Sequence, residues 1–326
     1  MDILTEILLI LEDRRWHSGE DIANMLNVSR STVFNRCKQL QSVGVAVERV
    51  RGKGYRIVNN AMLVTVDMLQ NGVLHQDSGR LHWSWKLMTD STNDDAKVIS
   101  LCDEKDVAIA YAEYQGNGRG RRGRVWHSPL GENIYLSFKF SIQRPLPELP
   151  SLGLEYVINI AEAFEKTLGI KVQLKWPNDL YSNSRKVGGL LMEIVGEMGG
   201  AYQVVLGIGL NIGLSENSVH IDQPWSNLVE NPNKARKLAI TLCLINTFLG
   251  LLKARRKGVA LDLTSRWKAY DLLVGKLLTI YHNGREISGY SAGVSGEGYL
   301  LFRAIDGDIM KLHAGEVTIR KDFDSE

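Results

Sequence analysis

A chain of 326 residues, 44% apolar and 23% charged, is long enough for two or three domains and has the balance of a soluble globular protein. Its formal net charge of +2 excludes an overall attraction to polyanions, so any nucleic-acid contact must come from a local patch. Three widely spaced cysteines (Cys37, Cys102, Cys243) offer neither a disulfide framework nor zinc spacing, no apolar run approaches the roughly 18 residues of a membrane span, and the acidic N-terminus is unlike a secretory signal. The expectation is a cytoplasmic protein with no membrane partner.

Ile3, Ile7, Ile10 and Leu11 recur at helical spacing, which predicts an amphipathic helix over residues 2–13. Ser18 and Ser29 are N-cap candidates for two short helices separated by an Asn27-Val28 turn, with Ile22, Leu26, Val33, Cys37 and Leu40 forming one apolar face. Ser29, Arg30, Ser31, Thr32, Asn35 and Arg36 are left on the start and outer side of the second helix, as a helix-turn-helix needs for the major groove. Residues 45–50 and 55–58 flank Arg51-Gly52-Lys53-Gly54 and read as a hairpin with a basic tip, a wing whose Arg49, Arg51, Lys53 and Arg56 would lie near phosphates. A scaffold for protein contacts is the competing reading of this module. Asn59-Asn60-Ala61 marks the junction to the next domain.

Leu81–Trp85 reads as a strand leading into Asp90-Ser91-Thr92-Asn93-Asp94-Asp95, a run of capping residues opening a helix to about Leu101. Such short hydroxyls and amides either cap the helix or hold a neutral polar ligand. The strand Val107–Glu113 releases Gln115-Gly116-Asn117-Gly118-Arg119-Gly120-Arg121-Arg122-Gly123-Arg124-Val125-Trp126, where four arginines fall within six residues. Glycine permits positive φ and close approach, and arginine supplies a permanent planar fork for phosphate or carboxylate. This stretch is expected to be a mobile loop that orders around an anion; a solvated basic loop or nucleic-acid patch is the alternative.

A strand over 133–140, a loop at Pro145-Leu146-Pro147 and an amphipathic helix carrying Val157, Ile160, Ala161, Phe164 and Leu168 follow. Val172–Asp179 combines a strand with a stop at Pro177, leaving Asn178 and Asp179 at its end. Residues 185–193 and 204–212 are further strands, the second with Gly207 and Gly209 on one face, as a close ligand or backbone requires. A helix from about Lys234 to Lys253 uses Leu238, Leu242, Ile245, Leu249 and Leu252 as its core stripe. Trp267 and Tyr270 close the domain. Five short strands between 276 and 320, with a turn at Asn283-Gly284, predict a small SH3-like barrel.

No GxxxxGK[ST] phosphate loop is present, and Gly116-x-Gly118-x-Gly120 opens no helix as a dinucleotide fingerprint must. The arginine-glycine loop, Lys175-Trp176-Pro177-Asn178-Asp179, Lys186 and a glycine-lined strand ending at Asn211 suit a carboxylate and a nucleoside triphosphate bound together.

Ser91-Thr92-Asn93, Gln115–Trp126, Lys175–Asp179 and Arg185-Lys186-Val187-Gly188-Gly189-Leu190-Leu191 resemble the motifs of biotin protein ligases. The resemblance spans the chain and is to the bifunctional bacterial form that is also the repressor of the biotin operon; Gly116-Asn117 departs from the family's loop but leaves its arginines intact. It implies an α+β protein: a winged helix-turn-helix over 1–60, a mixed α/β, class II synthetase-like catalytic domain over 61–272, and an SH3-like barrel over 273–326. It implies that biotin and ATP, with Mg2+, form biotinyl-5'-adenylate, and that a lysine of the biotin carboxyl carrier protein of acetyl-CoA carboxylase then takes the biotinyl group. Ser91, Thr92, Asn93, Gln115, Gly118, Arg119, Gly120, Arg121, Trp126, Lys186, Gly189, Leu191, Gly207, Gly209 and Asn211 are then the biotin and adenylate residues, with Asn211 reading adenine. Lys186, Arg121 and Asp179 are the catalytic candidates. Asp179 either takes or orients the incoming lysine's proton or helps place magnesium, and Lys175 either shares the work of Lys186 or supports the strand end.

The family further implies a homodimer promoted by biotinyl-5'-adenylate that binds operator DNA of biotin genes. The rival readings are a biotin-sensing transcription regulator without ligase activity, a lipoate or octanoate ligase, and a ligase whose N-terminal domain is vestigial.

Overall fold

The computed structural model describes residues 2–58, 62–74, 80–142, 149–198, 200–215, 221, 223–259, 262–282, 284–314 and 318–320. Three helices and a hairpin open the chain, each helix started by a side-chain cap. Asp2 takes the Thr5 N–H at 2.7 Å to begin α1 (Ile3–Leu11). Ser18 takes the Asp21 N–H at 3.0 Å for α2 (Gly19–Met25), and Ser29 takes the Thr32 N–H at 3.1 Å for α3 (Arg30–Ser42). Each bond satisfies an amide that the first helical turn leaves open. Asn27 adopts φ 51° at the tight turn between α2 and α3, a left-handed position that asparagine tolerates. Strands β1 (Val47–Val50) and β2 (Gly54–Ile57) pair antiparallel as the wing. Gly54 sits at φ +101°, and a Cβ there would lie 1.9 Å from the His17 carbonyl oxygen, so glycine lets the wing close onto the start of α2. Ile7, Leu8, Leu11, Ile22, Val33 and Leu40 are fully buried; Leu26, expected among them, is only half-buried. The Asn59-Asn60-Ala61 junction and the Pro145-Leu146-Pro147 loop lie outside the described residues.

A helix with no counterpart in the sequence reading, α4 (Val66–Gly72), leads into the central domain. Its sheet has seven strands: β3 (Leu81–Thr89), β4 (Val107–Gln115), β5 (Asn133–Ile142), β6 (Gln173–Lys175), β7 (Asp179–Ser182), β8 (Arg185–Met198) and β9 (Ala201–Asn211), in the order β3-β4-β5-β9-β8-β7-β6. Only β3 and β4 run parallel, joined by α5 (Thr92–Val98), which ends earlier than its expected Leu101. The strand expected to stop at Pro177 turns back instead: Lys175 pairs with Asp179 and residues 176–178 form the turn, which includes a cis Trp176-Pro177 bond.

α6 (Leu149–Ala163) and α7 (Lys234–Arg256) cover the sheet face opposite α5, where Phe248 stacks on Phe138 at 3.9 Å and Tyr156 meets both rings edge-on. α8 (Leu263–Lys268) buries Trp267 completely. Contrary to the expectation that no apolar run approaches a membrane span, an 18-residue window of α7, with a mean hydropathy of 1.5, has the length and composition of one. Half of that window is buried inside the protein, as in a core helix. Its core face is Ile240, Leu244, Ile245, Phe248, Leu249, Leu251 and Leu252, while the expected Leu238 and Leu242 lie half-buried at the rim.

The C-terminal strands β10 (Leu277–His282), β11 (Arg285–Val294), β12 (Leu300–Ala304), β13 (Ile309–Leu312) and β14 (Thr318–Arg320) form one antiparallel sheet in the order β13-β12-β11-β10-β14. Of the expected Asn283-Gly284 turn, only Gly284 is among the described residues, with φ 76°. This sheet docks on the central domain where Trp176 Nε1 donates to the Gly298 carbonyl at 3.1 Å.

An ion pair lies inside the central core. Lys237 of α7 and Glu113 of β4 are both wholly buried and bonded to one another. Lys237 also donates to the Gly131 carbonyl at 3.1 Å, and Glu113 accepts from the Val64 N–H at 2.6 Å and the Tyr111 hydroxyl at 3.2 Å. Burial pushes the Glu113 carboxyl up and the Lys237 ammonium down, each opposed by the other's charge. Removing one partner of such a pair strands a charge away from water. Lys237→Met is expected to lower unfolding free energy by about 3–5 kcal/mol in urea titration, with Lys237→Met/Glu113→Gln recovering most of the loss.

Candidate functional site

The site begins with missing side chains. Gly189 of β8 pairs directly with Gly209 of β9, and Leu191 pairs with Gly207. A Cβ on Gly207 would stand 2.1 Å from Asn93 Oδ1, one on Gly209 2.5 Å from the Trp126 indole nitrogen, and one on Gly189 2.8 Å from Asp179 Oδ1. The close approach expected at Gly207 and Gly209 is therefore made by the protein's own side chains, drawn in from α5 and the arginine-glycine loop. Above them lies a cavity of 220 Å³. Of the predicted biotin, adenylate and catalytic residues, all but Gly118 and Asn211 line it.

Gly118 stands behind the wall: its carbonyl accepts the Trp126 N–H at 2.9 Å, and a Cβ there would lie 2.5 Å from the Trp126 carbonyl oxygen. Asn211 lines an adjoining recess of 30 Å³ with His127 and Trp225, which shares Val125, Trp126, Lys186 and Gln223 with the main cavity.

Ser91 occupies the N-cap position of α5, yet its hydroxyl makes no capping bond although the residue is buried. The Thr92 N–H and hydroxyl go instead to Gln115 Oε1 at 2.9 and 3.1 Å, and Gln115 Nε2 donates to Ser128 Oγ at 3.0 Å. Ser137 Oγ lies 2.8 Å from Thr92 Oγ1 and 2.6 Å from Asn93 Oδ1.

The arginine-glycine loop, expected to be mobile, is laced by its own backbone. Gly120 N–H donates to the Arg124 carbonyl at 2.7 Å, and Gln115 N–H to the Ser128 carbonyl at 3.2 Å. Arg122 (φ 57°) and Gly123 (φ 72°) turn the tip. Arg119 Nη2 sits 2.7 Å from both carboxylate oxygens of Asp94. Arg121 is the arginine that crosses domains, donating to Asn178 Oδ1 at 3.3 Å and to the Ala314 carbonyl at 2.8 Å. Burial pulls the Arg121 pKa down, against the attraction of Asp179.

Lys186 Nζ stands 2.9 Å from Asp179 Oδ1 and 5.7 Å from the Trp126 ring centre, with its side chain 13% exposed. A desolvated cation with one carboxylate partner can transfer its attraction to an incoming anion at small reorganisation cost. Among the described residues no cluster of three His, Cys, Asp or Glu could hold a metal ion. Asn178, which the sequence places beside Asp179 after Pro177, lines the cavity. Ser137, Gln223 and Ala314 are site residues that sequence reasoning missed, strand alternation on β5 being a signal for Ser137 and nothing local marking the other two.

In the N-terminal module, Arg30, Ser31, Asn35, Arg36, Arg51 and Lys53 are exposed and Thr32 is half-buried, whereas the Ser29 hydroxyl is engaged in its cap. Lys53 and Arg56 lie over the Trp16 ring at 5.9 and 4.7 Å, and Arg49 over Phe34 at 4.7 Å, which holds the basic wing against the helices.

Residues 86–211 match the model of the biotin/lipoate A/B protein ligase family, and residues 4–56 match an HTH domain. The chain is 33% identical to the bifunctional ligase/repressor BirA of Salmonella typhimurium over 96% of both chains. The chain belongs to the family of bifunctional biotin protein ligases and repressors. The Escherichia coli relative of the same name is 32% identical over 97% of this chain and 96% of its own. The biotin protein ligase of Aquifex aeolicus, solved in complex with biotin and ATP, superposes with a TM-score of 0.60 at 26% identity, covering 74% of this chain and 99% of its own.

For a ligase of this family, the glycine floor makes a sharp prediction. An added methyl at Gly189 pushes on the end of the Asp179 side chain, which can yield without disturbing the fold but only by leaving Lys186. Gly189→Ala is expected to slow biotin-dependent ATP–pyrophosphate exchange by about 10²-fold, with little change in melting temperature.

Proposed function

We propose that the cavity activates biotin with ATP and delivers it to a lysine of the biotin carboxyl carrier protein of acetyl-CoA carboxylase. One observation carries this reading: Lys186, paired with Asp179 at 2.9 Å and roofed by Trp126, lies in a cavity that Arg121 closes from the side of the C-terminal domain. A biotin carboxylate oxygen attacks the α-phosphorus of ATP, the bond to the β-phosphate breaks, and pyrophosphate leaves. The acceptor lysine's amine then attacks the acyl carbon of biotinyl-5'-adenylate, the carbonyl-to-phosphate oxygen bond breaks, and AMP leaves. Charge on the carboxylate and the α-phosphate is met by Lys186 and Arg121 in both steps. Magnesium enters with the triphosphate as part of that substrate.

Ser91, Thr92, Asn93, Gln115 and Leu191 line the biotin end, and the recess around Asn211 and Trp225 suits the adenine edge. Asp179 is best placed to orient Lys186 and to take the acceptor amine's proton. The loop acts as a lid, because an acyl adenylate reached by water is hydrolysed.

The winged helix binds operator DNA of biotin genes through the exposed residues of α3 and the wing, as a homodimer promoted by biotinyl-5'-adenylate. Supporting a dimer, β8 beyond Leu190 has a strand only on its β9 side among the described residues, and Ile194 on that edge is 50% exposed. The C-terminal sheet, bent at the bulge between Ser291 and Val294, suits the small SH3-like barrel.

The test uses the full chain. Wild type should catalyse biotin-dependent ATP–pyrophosphate exchange and label a purified carrier domain; absence of exchange would leave a biotin-sensing regulator without ligase activity. Lys186→Ala is expected to reduce exchange by about 10²-fold or more. Arg121→Ala should retain slower exchange but release radiolabelled adenylate faster than wild type; wild-type retention would sink the lid. A gel shift on the biotin-gene promoter that appears only with biotin plus ATP checks the repressor.

A further inference from the structure

A closed circuit of polar contacts runs behind the cavity. Arg119 is held by Asp94, and Asp94 Oδ1 also receives Lys97 Nζ at 3.1 Å. Lys97 reaches Glu193 Oε1 of β8 at 2.9 Å, and Glu193 Oε2 accepts from Asn93 Nδ2 at 2.6 Å. Through Ser137 and Thr92 the circuit continues to Gln115, four residues before Arg119 in the chain. Both the entrance of the arginine-glycine loop and its first arginine are thus tied to the same part of α5.

Asp94 lines no part of the cavity, and its link to the predicted ligand residues runs through Arg119. Had it served only as a helix-surface charge, Lys97 one turn on would be its sufficient partner. Instead one guanidinium nitrogen, from a residue 25 positions away, lies equidistant from both of its oxygens. Burial alone would raise the Asp94 pKa; the hydrogen bonds from Arg119 and Lys97 more than reverse this and keep it ionised.

We infer that Asp94 is a positioning residue for the ligase reaction, acting through Arg119 as the latch that sets how long the loop stays closed over the acyl adenylate. This rests on the lid reading of the loop. It also gives Arg119 a different task from Arg121: Arg119 anchors the near side of the loop to α5, and Arg121 fastens the far side to Asn178 and the C-terminal domain. Lys97 and Glu193 brace the anchor against β8.

The experiment measures dissociation of radiolabelled biotinyl adenylate, formed on the full-length enzyme from biotin and MgATP, with Arg121→Ala as reference. Asp94→Asn is expected to release the adenylate about three- to fivefold faster at low ionic strength, the range of a partly exposed ion pair, and Asp94→Glu to restore most of the retention. Raising the salt should speed release from wild type toward the Asp94→Asn rate while leaving Asp94→Asn nearly unchanged, a response that loss of helix stability would not produce. Wild-type retention by Asp94→Asn, alongside rapid release by Arg121→Ala, would overturn the latch and leave the lid. Wild-type retention by both would overturn the lid and the latch together.

Discussion

The cavity exists because three positions on two neighbouring strands carry no side chain. Gly189, Gly207 and Gly209 face the same way, and each is already in contact with a group of the site: Asp179, Asn93 and Trp126. Glycine weakens a strand, since it loses more backbone entropy on folding and offers nothing to pack. The sheet tolerates this because its opposite face is filled. Phe138, Phe140, Leu206 and Ile208 are buried under α6 and α7, with the Phe138–Phe248–Tyr156 aromatic cluster at the centre. These three positions share the cavity face, whereas Gly188, on the opposite face of β8, is closed over by the buried Leu210 side chain.

Charge in the site is arranged on the same principle of deferred contact. Lys186 and Arg121 are both largely desolvated, and each has a protein partner, Asp179 for one and two neutral oxygens for the other. A neutral carbonyl and an amide oxygen hold the Arg121 guanidinium in place without neutralising it. Arg119, by contrast, is already neutralised by Asp94. Two arginines separated by one glycine in the same loop are therefore chemically different, and only their partners distinguish them.

Those partners mark the boundary of what the sequence discloses. Local chemistry was legible: Ser18 and Ser29 cap the helices they precede, the Gly52–Gly54 wing closes as read, and the cavity collects almost every residue of the predicted ligand motifs. Long-range partners were not. The Ala314 carbonyl lies 193 residues from Arg121, and a backbone carbonyl leaves no mark on composition. The stripe of α7 was legible in part: Ile245, Leu249 and Leu252 are buried as expected, while Leu238 and Leu242 pack only half-buried at its rim and Ile240, Leu244 and Phe248 complete the core face. Lys237 could not be placed in a core by any pattern, since Glu113 and the Gly131 carbonyl, both distant in sequence, make that position tolerable. The strand ending at Pro177 was a hairpin because three-residue strands are too short for periodicity to resolve.

The buried pair also explains how a ligand site and a DNA-binding module share one rigid frame. Glu113 precedes Gln115 by two residues on β4, and its carboxylate holds the Val64 N–H, just past the junction between the domains. Trp85 of β3 takes the carbonyl of that same residue at 2.8 Å, so Val64 is fixed on both sides of its backbone. The core of the winged helix does not end at the junction, for Leu63, Leu87 and Leu130 belong to the same buried cluster as Ile7, Val33 and Leu40. Leu130 follows Ser128, where the arginine-glycine loop closes on Gln115, and precedes Gly131, whose carbonyl receives Lys237. A half-buried ion pair between Lys234 and Glu12, the C-cap of α1, at 2.9 Å, adds a tether from the same helix that carries Lys237. Packed side chains resist small displacements collectively, since a close-packed interior has no slack to absorb them. Ser128, on which the arginine-glycine loop closes, is thus two residues from Leu130 of the winged-helix core, and Gly131 beside it is held by the buried Lys237.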